Sequence, residues 1–540
     1  MANFAVGKEM YPELRRSLPP QLPEFLKKQR WFGGKARQIY SVEVTDVISI
    51  SRSNVDYLLL IARVKYADGI EESYAMPLSF AEEEKSTKEM VSCSLRIGRS
   101  GEGGEARILT DALTHEDFLR CLLEMIEEKA RAKGDKGELR ALQTTAYADL
   151  RPPSSDALRP RPIAAEQSNT SILYGDRLIL KFFRRLEEGI NPDLEIGAFL
   201  TEKVHFPHVP KLAGSLEYRG RDGRQMVQGI LQAFVPNQGD AWRYTLNVLS
   251  DFYQAALKHA REQQPPGRDV ARAFNIEGER PAFASESVAD YLAAAQLLGR
   301  RTAEMHLALA SEPNDPAFRP EQFTPEFQRM LEESVLGLTT RVFGLLRERT
   351  AAVPDSVRSE AAELASREDE VRGRVRSVLR SPLAATRTRI HGDYHLGQVL
   401  YTGSDFVIID FEGEPARPLA DRRTKRSPLQ DVSGMLRSFH YAAFAPLLAP
   451  VGGTPLPVEA GPRLTIWAER WNAWVADRFL TGYFDTSGAA SYLPDSREAI
   501  HKLLDFHLLE KAIYELGYEL NNRPSWVGIP LQGILRLLSS

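Results

Sequence analysis

The pattern of apolar and polar positions divides the chain into a strand-rich first part and a helix-rich second part. Between residues 41 and 80, short runs of β-branched and aromatic residues are separated by Ser-Asn and Asp-Gly pairs, which is typical of an antiparallel sheet. Residues 96–107 are rich in glycine and charge, which predicts an exposed loop. Residues 114–131 repeat apolar side chains at helical spacing and predict an amphipathic helix.

A second strand pattern begins at Ile172 and runs through a Gly-Asp turn to Phe183. A helix follows it, with Asn191 as the N-cap and Pro192 at the first helical position. Another hairpin is predicted over residues 215–233, and beyond it the periodicity is that of helices. These helices are predicted over 285–309, 325–349, 356–378 and 462–483. We interpret the many Glu and Arg residues within 354–380 as the solvated face of a helix rather than as a binding surface.

Composition narrows the class of protein. A chain of 540 residues with 43% hydrophobic residues can bury a large core and is expected to form two or three domains. The formal net charge of -4 argues against a nucleic-acid partner, which needs a basic face. Cys93 and Cys121 stand far apart without spaced histidines, which excludes a disulfide scaffold and a zinc cluster of the usual spacing. The N-terminus lacks a signal-peptide pattern and no apolar run approaches about 18 residues, so we expect a cytoplasmic protein that does not enter a membrane.

The candidate chemistry is concentrated in residues 389–415, RIHGDYHLGQVLYTGSDFVIIDFEGEP. Asp393 lies in a polar loop, Gln398 follows five residues later, and Asp410 ends a buried-strand pattern. Phosphoryl transfer needs a carboxylate to align the accepting hydroxyl and oxygen ligands to fix Mg²⁺ against the phosphates of ATP. Asp393 is therefore the candidate base that accepts the substrate proton. Gln398 and Asp410 are the candidate magnesium ligands.

This order of residues resembles the catalytic loop of protein kinases and the DFG segment that follows it. Gln398 stands where those kinases have Asn, and DFEG replaces DFG. The alternative is that the loop Asp, the Gln and the strand-end Asp are structural residues. Glu412 and Glu414 either join the metal shell or are solvated acids, and both interpretations stay open.

An isolated lysine, Lys181, interrupts the apolar run LILKFF. Burying its charge is costly unless the charge is paired. In kinases the lysine that contacts the α- and β-phosphates is held by an acid on the helix that follows. Glu195 is the natural partner and Asp193 is the competing one. The alternative is that Lys181 lies on an edge strand, where it discourages aggregation.

The predicted turn before this lysine carries EQSNTS, residues 166–171, in place of a glycine-rich motif. Small polar residues adopt tight turns and offer backbone and hydroxyl donors to phosphate, although an ordinary polar hairpin turn is the alternative. The candidate donors are Ser168, Asn169, Thr170 and Ser171. After the second hairpin, the chain changes from apolar to polar and is expected to connect two lobes. The candidate adenine contacts there are backbone groups of Gln232, Phe234 and Val235.

Further motifs, in order along nearly the whole chain, resemble those of the bacterial maltokinases, which are relatives of the aminoglycoside phosphotransferases. They are QRWFGGKAR, EQSNTS, RLILKFFRRLEEGINPDLEI, FVPNQGDAW, HGDYHLGQVL, IIDFEGEP, RSPLQDVSGMLRSF and LEKAIYELGYELNNRPSWVGIPL. The resemblance implies transfer of the γ-phosphate of ATP to the anomeric hydroxyl of maltose, with Mg²⁺, to give maltose 1-phosphate for α-glucan (glycogen) synthesis. Members of this family are sometimes fused to trehalose synthase, so the resemblance also implies association with that enzyme.

The resemblance implies roles for individual residues. Asp393 would be the base, Gln398 and Asp410 the metal ligands, Lys181 and Glu195 the phosphate-positioning pair, and Asp431 a buried brace for the catalytic loop. It also implies an N-terminal cap that carries QRWFGGKAR. From its residues, this motif is either a packing corner or a segment with a role near the nucleotide or in lobe closure.

Near the C-terminus, Tyr514 and Tyr518 stand at helical i, i+4 spacing. Sugar sites combine aromatic rings with acids and guanidinium groups, so this helix and Arg523 form the candidate acceptor site, with His395 as a further candidate contact. The alternative is that these tyrosines belong to the core. Related kinases phosphorylate glucosamine or other sugars with the same loop, so maltose and another sugar both remain candidate acceptors.

Together these inferences predict an α+β protein with a bilobal protein-kinase-like fold. We expect a β-rich N-terminal cap subdomain over residues 1–105 and a nucleotide-binding N-lobe over 106–235. A mostly α-helical C-lobe with the catalytic loop and the sugar site is expected over 236–540. Residues 315–381 are longer and more charged than such a core requires and are interpreted as an insertion. The second class of function considered is a nucleotide-binding scaffold protein with little catalysis.

Overall fold

The chain folds into two compact units. The computed structural model describes residues 10–52, 55–82, 94–97, 107–151, 158–163, 169–262, 282–379, 382–448 and 461–539. The first unit contains Met1–Pro236 and Arg417–Asp421, and the second contains Asn237–Ala416 and Arg422–Ser540. The first is built mainly from two β-sheets and the second mainly from helices, which confirms the predicted α+β class. Within the described ranges, no helix is both long and apolar enough to cross a membrane.

The first sheet of the first unit confirms the antiparallel pattern predicted for residues 41–80. Its strands are β1 (Ile39–Arg52), β2 (Val55–Tyr66), β3 (Glu71–Glu82), β4 (Leu95–Ile97), β5 (Arg107–Asp111) and β11 (Arg185–Leu186). Their order is β1-β2-β3-β5-β4, and β11 pairs with β3. Two short helices, α1 (Tyr11–Ser17) and α2 (Leu22–Lys28), pack their apolar side chains on one face of this sheet. The loop predicted over residues 96–107 falls mostly outside the described residues.

The second sheet of this unit has the order β6-β7-β12-β13-β10-β9-β8. Its strands are β6 (Arg131–Lys133), β7 (Gly137–Gln143), β8 (Pro160–Ile163), β9 (Asn169–Tyr174), β10 (Leu178–Phe183), β12 (Leu212–Gly220) and β13 (Gln225–Ala233). The helices of this region are α3 (Glu116–Glu127), α4 (Tyr147–Leu150) and α5 (Pro192–Ala198). The apolar face of α3 packs against the sheet core, as the helical spacing of residues 114–131 predicts.

The motif QRWFGGKAR is a packing corner of the first sheet. Trp31 and Phe32 are buried, and their rings lie 6.0 and 5.1 Å from the ring of Tyr74. The guanidinium group of Arg37 pairs with Asp68 at 2.7 Å and lies 3.9 Å above the ring of Tyr66. The aromatic residues of the motif therefore hold the sheet together, which agrees with the first of its two interpretations.

A buried carboxylate joins the two sheets of the first unit. Asp46 on β1 is fully buried, and its Oδ1 atom accepts hydrogen bonds from the amides of Val47, Asp135 and Lys136 at 2.8, 3.0 and 2.9 Å. Its Oδ2 atom accepts a hydrogen bond from the hydroxyl of Tyr218 on β12 at 2.9 Å. A buried charge is tolerated only when hydrogen bonds replace its hydration, and Asp46 receives four.

The described helices of the second unit account for most of its chain. They are α6 (Ala241–Glu262), α7 (Ala282–Leu309), α8 (Pro325–Glu348), α9 (Arg358–Ser366), α10 (Glu368–Leu379), α12 (Leu429–Leu448), α13 (Gly461–Ser487), α14 (Arg497–Asn522) and α15 (Gly528–Ser539). The short helix α11 (Leu419–Arg422) belongs to the first unit up to Asp421. Two small two-stranded sheets pair β14 (Glu321–Gln322) with β15 (Thr386–Arg387) and β16 (Val399–Tyr401) with β17 (Phe406–Ile408), and the second of these is a hairpin.

The centre of the second unit is a close contact between α7 and α13. A Cβ atom at Gly299 would lie 2.0 Å from the carbonyl oxygen of Phe479, and a Cβ atom at Gly482 would lie 2.0 Å from that of Gln296. Both distances are far below van der Waals contact, so only glycine permits this approach of the two backbones. The large buried side chains of α13 can then fill the core on either side of the contact.

The prediction of a single helix over residues 356–378 is wrong, because the structure has two helices there. The first ends at Ser366 and the second begins at Glu368. Between them, Arg367 leaves the helical conformation, with φ -103° and ψ 20°, and pairs with Glu363 on one helix and Glu370 on the other. The charged residues that gave the segment a continuous helical pattern in the sequence therefore form ion pairs across the break between the two helices.

We predict that Asp46→Ala destabilises the protein by about 3 kcal/mol, because the buried amide of Val47 and the hydroxyl of Tyr218 lose their acceptor and the amides of Asp135 and Lys136 lose a hydrogen bond. The expected result is a large decrease in the urea midpoint, followed by circular dichroism. Asp68→Ala is the matched control, since Asp68 lies on the surface of the same unit and pairs only with exposed groups. Equal midpoints for the two variants would contradict the assigned role of Asp46.

Candidate active site

The loop that carries the candidate base is held by one buried carboxylate, Asp431 on α12. Its Oδ2 atom accepts a hydrogen bond from the amide of His391 at 2.8 Å, and its Oδ1 atom accepts one from the amide of Gly392 at 2.9 Å. The Nε2 atom of His306 lies 3.0 Å from the same carboxylate. Burial alone would raise the pKa of Asp431, but these hydrogen bonds and the nearby imidazoles lower it below its ordinary value. The predicted brace is therefore present as an ion.

Helix α7 supports the loop from behind. His306 is fully buried between Asp431 and Tyr483, and its Nδ1 atom lies 3.0 Å from the hydroxyl of Tyr483. One turn earlier, the hydroxyl of Thr302 lies 2.9 Å from that of Tyr394 in the loop itself. Because these partners are buried and come from two helices, the loop backbone is fixed by the core and not by its own short sequence.

The carboxylate of Asp393 points out of this loop and is about one-fifth exposed. Its Oδ1 atom lies 3.4 Å from Nζ of Lys511, and its Oδ2 atom lies 3.9 Å from Nε2 of His395. The Nδ1 atom of His395 accepts a hydrogen bond from the amide of Gly397 at 3.1 Å, so the neutral imidazole carries its proton on Nε2, toward Asp393. Desolvation lowers the pKa of His395, which favours this neutral form at pH 7, although the charge of Asp393 opposes the shift.

Lys511 on α14 is the residue of this site that the sequence analysis missed. Burial alone would lower the pKa of its ammonium group, but the carboxylates of Asp393, Glu414 and Glu515 together raise it, so the group is charged at neutral pH. A sequence signal was present, because Lys511 precedes Tyr514 by one helical turn. Its relation to a loop 118 positions earlier could not be read from that spacing.

The two predicted magnesium ligands lie on the β16–β17 hairpin and its flanks. Gln398 ends a short 3₁₀ turn. Its backbone carbonyl oxygen accepts a hydrogen bond from the backbone amide of Ile409, the neighbour of Asp410, at 3.0 Å, so its side-chain amide is not used in this bond. The carbonyl oxygen of Ile409 in turn accepts a hydrogen bond from Nε2 of His391 at 2.9 Å. An amide oxygen and a carboxylate oxygen are hard ligands of the kind that Mg²⁺ prefers, so this donor set fits the ion. Their assignment as ligands stays a prediction.

Asp410 has a left-handed backbone conformation, with φ +67°. For a residue other than glycine this conformation is strained, and such residues cluster at functional sites. The strand-end Asp of the motif therefore has the unusual backbone that a site residue often shows.

Glu414 contacts α14, the helix of the candidate acceptor site. Its Oε1 atom accepts a hydrogen bond from the hydroxyl of Tyr514 at 2.9 Å, and its Oε2 atom lies 3.8 Å from Nζ of Lys511. Its side chain is only 15% exposed. Burial raises the pKa of the Tyr514 phenol, and Glu414 adds to the shift, so the phenol remains a donor at neutral pH. Glu414 is therefore not one of the solvated acids that the sequence left as an alternative.

The C-terminal end of α14 forms a second cluster of aromatic and charged side chains. Arg523 pairs with Glu519 at 2.7 Å, and its guanidinium carbon lies 4.5 Å from the ring of Trp526. The hydroxyl of Tyr441 donates to Glu519 at 3.1 Å, while Tyr518 is 46% exposed. The exposure of Tyr518 contradicts the alternative that places it in the core. Tyr441 and Trp526 carry no such signal in the sequence, because neither belongs to the helical i, i+4 series of Tyr514 and Tyr518.

In the first unit, Lys181 lies on β10, between β13 and β9, so the alternative of an edge-strand lysine is wrong. Its Nζ atom lies 3.8 Å from the carboxylate of Asp193, which is buried at the start of α5. The side chain of Asn191 caps this helix, as predicted, by accepting hydrogen bonds from the amides of Asp193 and Leu194. The competing partner Asp193 thus forms an ion pair with Lys181, and the role of Glu195 stays a prediction.

The predicted phosphate-binding turn is corrected in part. Asn169, Thr170 and Ser171 belong to strand β9, where Ser171 is opposite Lys181, and Ser168 lies outside the described residues. The hydroxyl of Thr170 accepts a hydrogen bond from Arg184 at 3.1 Å, and Ser171 is 2% exposed. Pairing with β10 overrides the turn preference of these polar residues, so Thr170 and Ser171 do not form an open turn.

The predicted adenine contacts are also corrected in part, because some of the backbone groups are already used within the protein. The amide of Phe234 donates to the carbonyl oxygen of Arg177 at 2.8 Å and is not available to a base. Gln232 lies within β13, opposite Ile179. Contacts of the base with the remaining backbone groups of Gln232, Phe234 and Val235 stay a prediction.

Comparison with known families confirms the resemblance inferred from the motifs. Residues 25–114 match the maltokinase N-terminal cap domain. Residues 159–452, more than half of the chain, match the phosphotransferase enzyme family. The chain belongs to the phosphotransferase enzyme family. The matched range includes Lys181, the loop that carries the candidate base Asp393, and Asp431.

Among characterised relatives, the phosphotransferase is 25% identical over 386 residues to a glucosamine kinase of Streptacidiphilus jiangxiensis, covering 70% of this chain and 73% of the relative. It is 26% identical over 389 residues to a glucosamine kinase of Mycolicibacterium smegmatis (strain ATCC 700084 / mc(2)155), covering 71% and 81%.

Solved structures of glucosamine kinase share the fold of the phosphotransferase. Crystal form B has a TM-score of 0.58 at 18% identity, covering 94% of this chain and 96% of that chain. A complex with glucosamine, ADP and inorganic phosphate has a TM-score of 0.56 at 17% identity, covering 95% and 98%. At these identities the likeness establishes the fold alone.

We predict that Asp431→Asn lowers both stability and activity of the phosphotransferase. The new amide would turn an N–H group toward an N–H donor of the loop or toward His306, at a cost of about 3 kcal/mol. A shift of the loop by about 1 Å would lower kcat by about 100-fold. Because the pKa of Asp431 is lowered in the folded state, its contribution is present at neutral pH and is lost only as the pH falls below about 4.

Thermal melting and steady-state assays of Asp431→Asn test this prediction. The exposed Asp495, in the same unit, provides the control Asp495→Asn. If Asp431→Asn had the melting temperature and kcat of its control, the carboxylate would not brace the loop.

We predict that Lys511→Met lowers kcat by about 100- to 1000-fold, as expected when a charged group at a reacting centre is lost. The KM for ATP should change little, since the groups that contact Lys511, chiefly Asp393 and Glu414, belong to the candidate acceptor side of the site. Lys502→Met is the control on the same helix, where Lys502 pairs with Glu498 on the surface. A loss of kcat in both variants, or in neither, would refute the assigned role.

Proposed function

We propose that this phosphotransferase is an ATP-dependent sugar kinase that transfers the γ-phosphate of ATP to the anomeric hydroxyl of maltose, giving maltose 1-phosphate and ADP. The observation that carries the proposal is the placement of Asp393, on a loop braced by Asp431, beside the ammonium group of Lys511 on a helix that also presents Tyr514. The match to the maltokinase cap domain supports maltose as the acceptor.

In this proposal Asp393 accepts a hydrogen bond from the hydroxyl of the sugar and takes its proton as the phosphoryl group is transferred. Lys511 holds the Asp393 carboxylate in place and offers further ammonium hydrogens to the acceptor. Lys181, held by Asp193, contacts the phosphates of ATP. Gln398 and Asp410 would hold Mg²⁺, which neutralises phosphate charge when it is bound.

Two carboxylates of α14, those of Glu515 and Glu519, are already paired with arginines. Glu414 contacts Lys511 and Tyr514, Glu515 pairs with Arg437 at 2.6 Å, and Glu519 pairs with Arg523 at 2.7 Å. Glu515 and Glu519 are therefore each compensated by an arginine, whereas Lys511 is shared between Glu414 and Asp393. The hydroxyl groups of a neutral sugar such as maltose can share hydrogen bonds with these paired groups.

Glucosamine is the second candidate acceptor, because both characterised relatives described above are glucosamine kinases. The two candidates differ in charge and in length. The exposed ring of Tyr518 and the pair of Arg523 with Trp526 lie one to three helical turns beyond Tyr514, where a second sugar ring would extend. This extension supports the disaccharide. A cytoplasmic role in α-glucan synthesis and association with trehalose synthase belong to the same proposal and rest on the resemblance.

The sugar specificity is tested by ADP release in a coupled assay with ATP, Mg²⁺ and one sugar at a time. Maltose, glucosamine, glucose and trehalose are compared, and phosphorus NMR locates the new phosphate. Maltose is expected to give the highest kcat/KM and an anomeric phosphate. A preference for glucosamine would overturn the substrate and keep the kinase. ATP binding without turnover on any of the sugars would favour the scaffold alternative.

We predict that Asp393→Asn lowers kcat by about 100- to 10,000-fold, the range expected for removal of a general base. The affinity for ATP, measured by calorimetry, should change little. The exposed Asp369 provides the control Asp369→Asn. Turnover of Asp393→Asn at the level of its control would show that Asp393 is not the base.

A further inference from the structure

Lys511 has three acidic neighbours, and it contacts the two that are distant in sequence. Its Nζ atom lies 3.4 Å from Oδ1 of Asp393 and 3.8 Å from Oε2 of Glu414. Glu515, one helical turn along α14, also raises the pKa of Lys511 through its charge. A lysine and a glutamate four positions apart on a helix are neighbours that can form an ion pair. Glu515 is therefore a local competitor of Asp393 for the same ammonium group.

A buried arginine of α12, Arg437, occupies this competitor. Its Nε atom donates a hydrogen bond to Oε2 of Glu515 at 2.8 Å, and its Nη2 atom lies 2.6 Å from the same oxygen. The side chains of Arg437 and Glu515 are only 5% and 12% exposed. Opposite charges attract each other more strongly when they are partly excluded from water. The charge of Glu515 is thus compensated from α12 and not by the lysine of its own helix.

The guanidinium group of Arg437 is held from two further sides. Its Nη1 atom donates a hydrogen bond to Nδ1 of His440 at 3.3 Å. Burial, together with the charges of Arg437 and Arg536, lowers the pKa of His440, so the ring is neutral and can accept this bond. A Cβ atom at Gly533 on α15 would lie 2.4 Å from Nη1, so a side chain there would displace the guanidinium group. Contacts with α12, α14 and α15 therefore set its position.

The loss of Arg437 would leave the carboxylate of Glu515 buried without this cation. A buried charge that loses its partner is strongly unfavourable. Lys511 lies one helical turn away, and its flexible stem allows the ammonium group to move. An ion pair between Lys511 and Glu515 would compensate the buried carboxylate. It would also withdraw the ammonium group from Asp393.

We propose that Arg437 is a positioning residue for phosphoryl transfer, which pairs with Glu515 and thereby leaves the ammonium group of Lys511 beside Asp393. Arg437 acts through Glu515 and Lys511 and does not itself contact the sugar. The inference rests on the proposed function, in which Asp393 is the base and Lys511 holds its carboxylate. It adds a buried ion pair between α12 and α14 as a condition for that arrangement.

The test compares kcat and the KM for ATP in variants of the full chain, with the sugar that the wild type uses best. Arg437→Met removes the cation, and Glu515→Gln removes the competing charge but keeps an acceptor for Arg437. The double variant of these two changes removes both charges. Arg372→Met is the matched control, because Arg372 forms a partly buried pair with Glu368 on α10, 2.8 Å apart. Thermal melting shows which variants are folded.

Arg437→Met is expected to lower kcat by about 10- to 100-fold, the loss expected when a group at the reacting centre is misplaced. The KM for ATP should stay close to that of the wild type. Glu515→Gln and the control Arg372→Met should keep the kcat of the wild type. The double variant should recover most of the kcat lost in Arg437→Met, because no charge at position 515 then attracts Lys511.

A second comparison uses the Lys511→Met background, in which the lysine through which Arg437 acts is absent. Arg437→Met should then cause no further fall in kcat, whereas a general structural role would lower kcat in both backgrounds. If Arg437→Met does not fold, Arg437→Gln takes its place, since it keeps a donor for Glu515 without the charge. A folded Arg437 variant with the kcat of the wild type, a double variant that does not recover, or additive losses with Lys511→Met would each overturn the proposal.

A crystal structure of Arg437→Met separates this proposal from the proposed function, because it requires no turnover. Nζ of Lys511 is expected within about 4 Å of the Glu515 carboxylate, the usual limit for an ion pair, and no longer beside Asp393. A lysine that still contacts Asp393 would overturn the positioning role. A displaced lysine, together with a wild type that turns over none of the sugars, would overturn the kinase assignment and keep the role of Arg437 in placing Lys511.

Discussion

The loop that carries the candidate base depends on the buried, ionised carboxylate of Asp431. One carboxylate receives two consecutive loop amides and the imidazole of His306, and it is almost fully excluded from water. Three hydrogen bonds to a charged acceptor offset the free-energy cost of desolvating that charge only when the donors are held at good distances and angles. The direction in which Asp393 leaves the loop follows from this requirement, because the amides that Asp431 binds come directly before it in the chain.

Local sequence could single out the candidate catalytic loop because its candidate residues are close in the chain: Asp393, Gln398 and Asp410 lie within 18 residues. It failed where partners come from distant parts of the chain. Lys511 reaches Asp393 across 118 positions, and its helical spacing gave no sign of that partner. It also failed where strand pairing overrode local preference, as at Asn169, which a polar motif placed in a turn and the sheet placed in β9. Fold class needed only periodicity, which is why it was predicted correctly.

The cap sheet is continuous in hydrogen bonding with the strand that carries Lys181. Directly after β10, the carbonyl oxygen of Arg184 accepts a hydrogen bond from the amide of Ala75 at 2.8 Å, and β11 then pairs with β3. The guanidinium group of Arg184 also lies 4.9 Å from the ring of Trp31 in the cap motif. The cap therefore fixes the end of the lysine strand, which gives a physical reason for the aromatic residues of that motif.

The strained backbone of Asp410 has the same origin as the position of Asp393. A left-handed conformation at a residue other than glycine costs about 1–3 kcal/mol and persists only where neighbours hold it. The neighbours here are the amide of Ile409, bonded to Gln398, and the carbonyl of Ile409, bonded to His391. His391 in turn is bonded through its amide to Asp431. The candidate base and the candidate metal ligand are thus positioned by one chain of hydrogen bonds, so a change in the buried carboxylate reaches both.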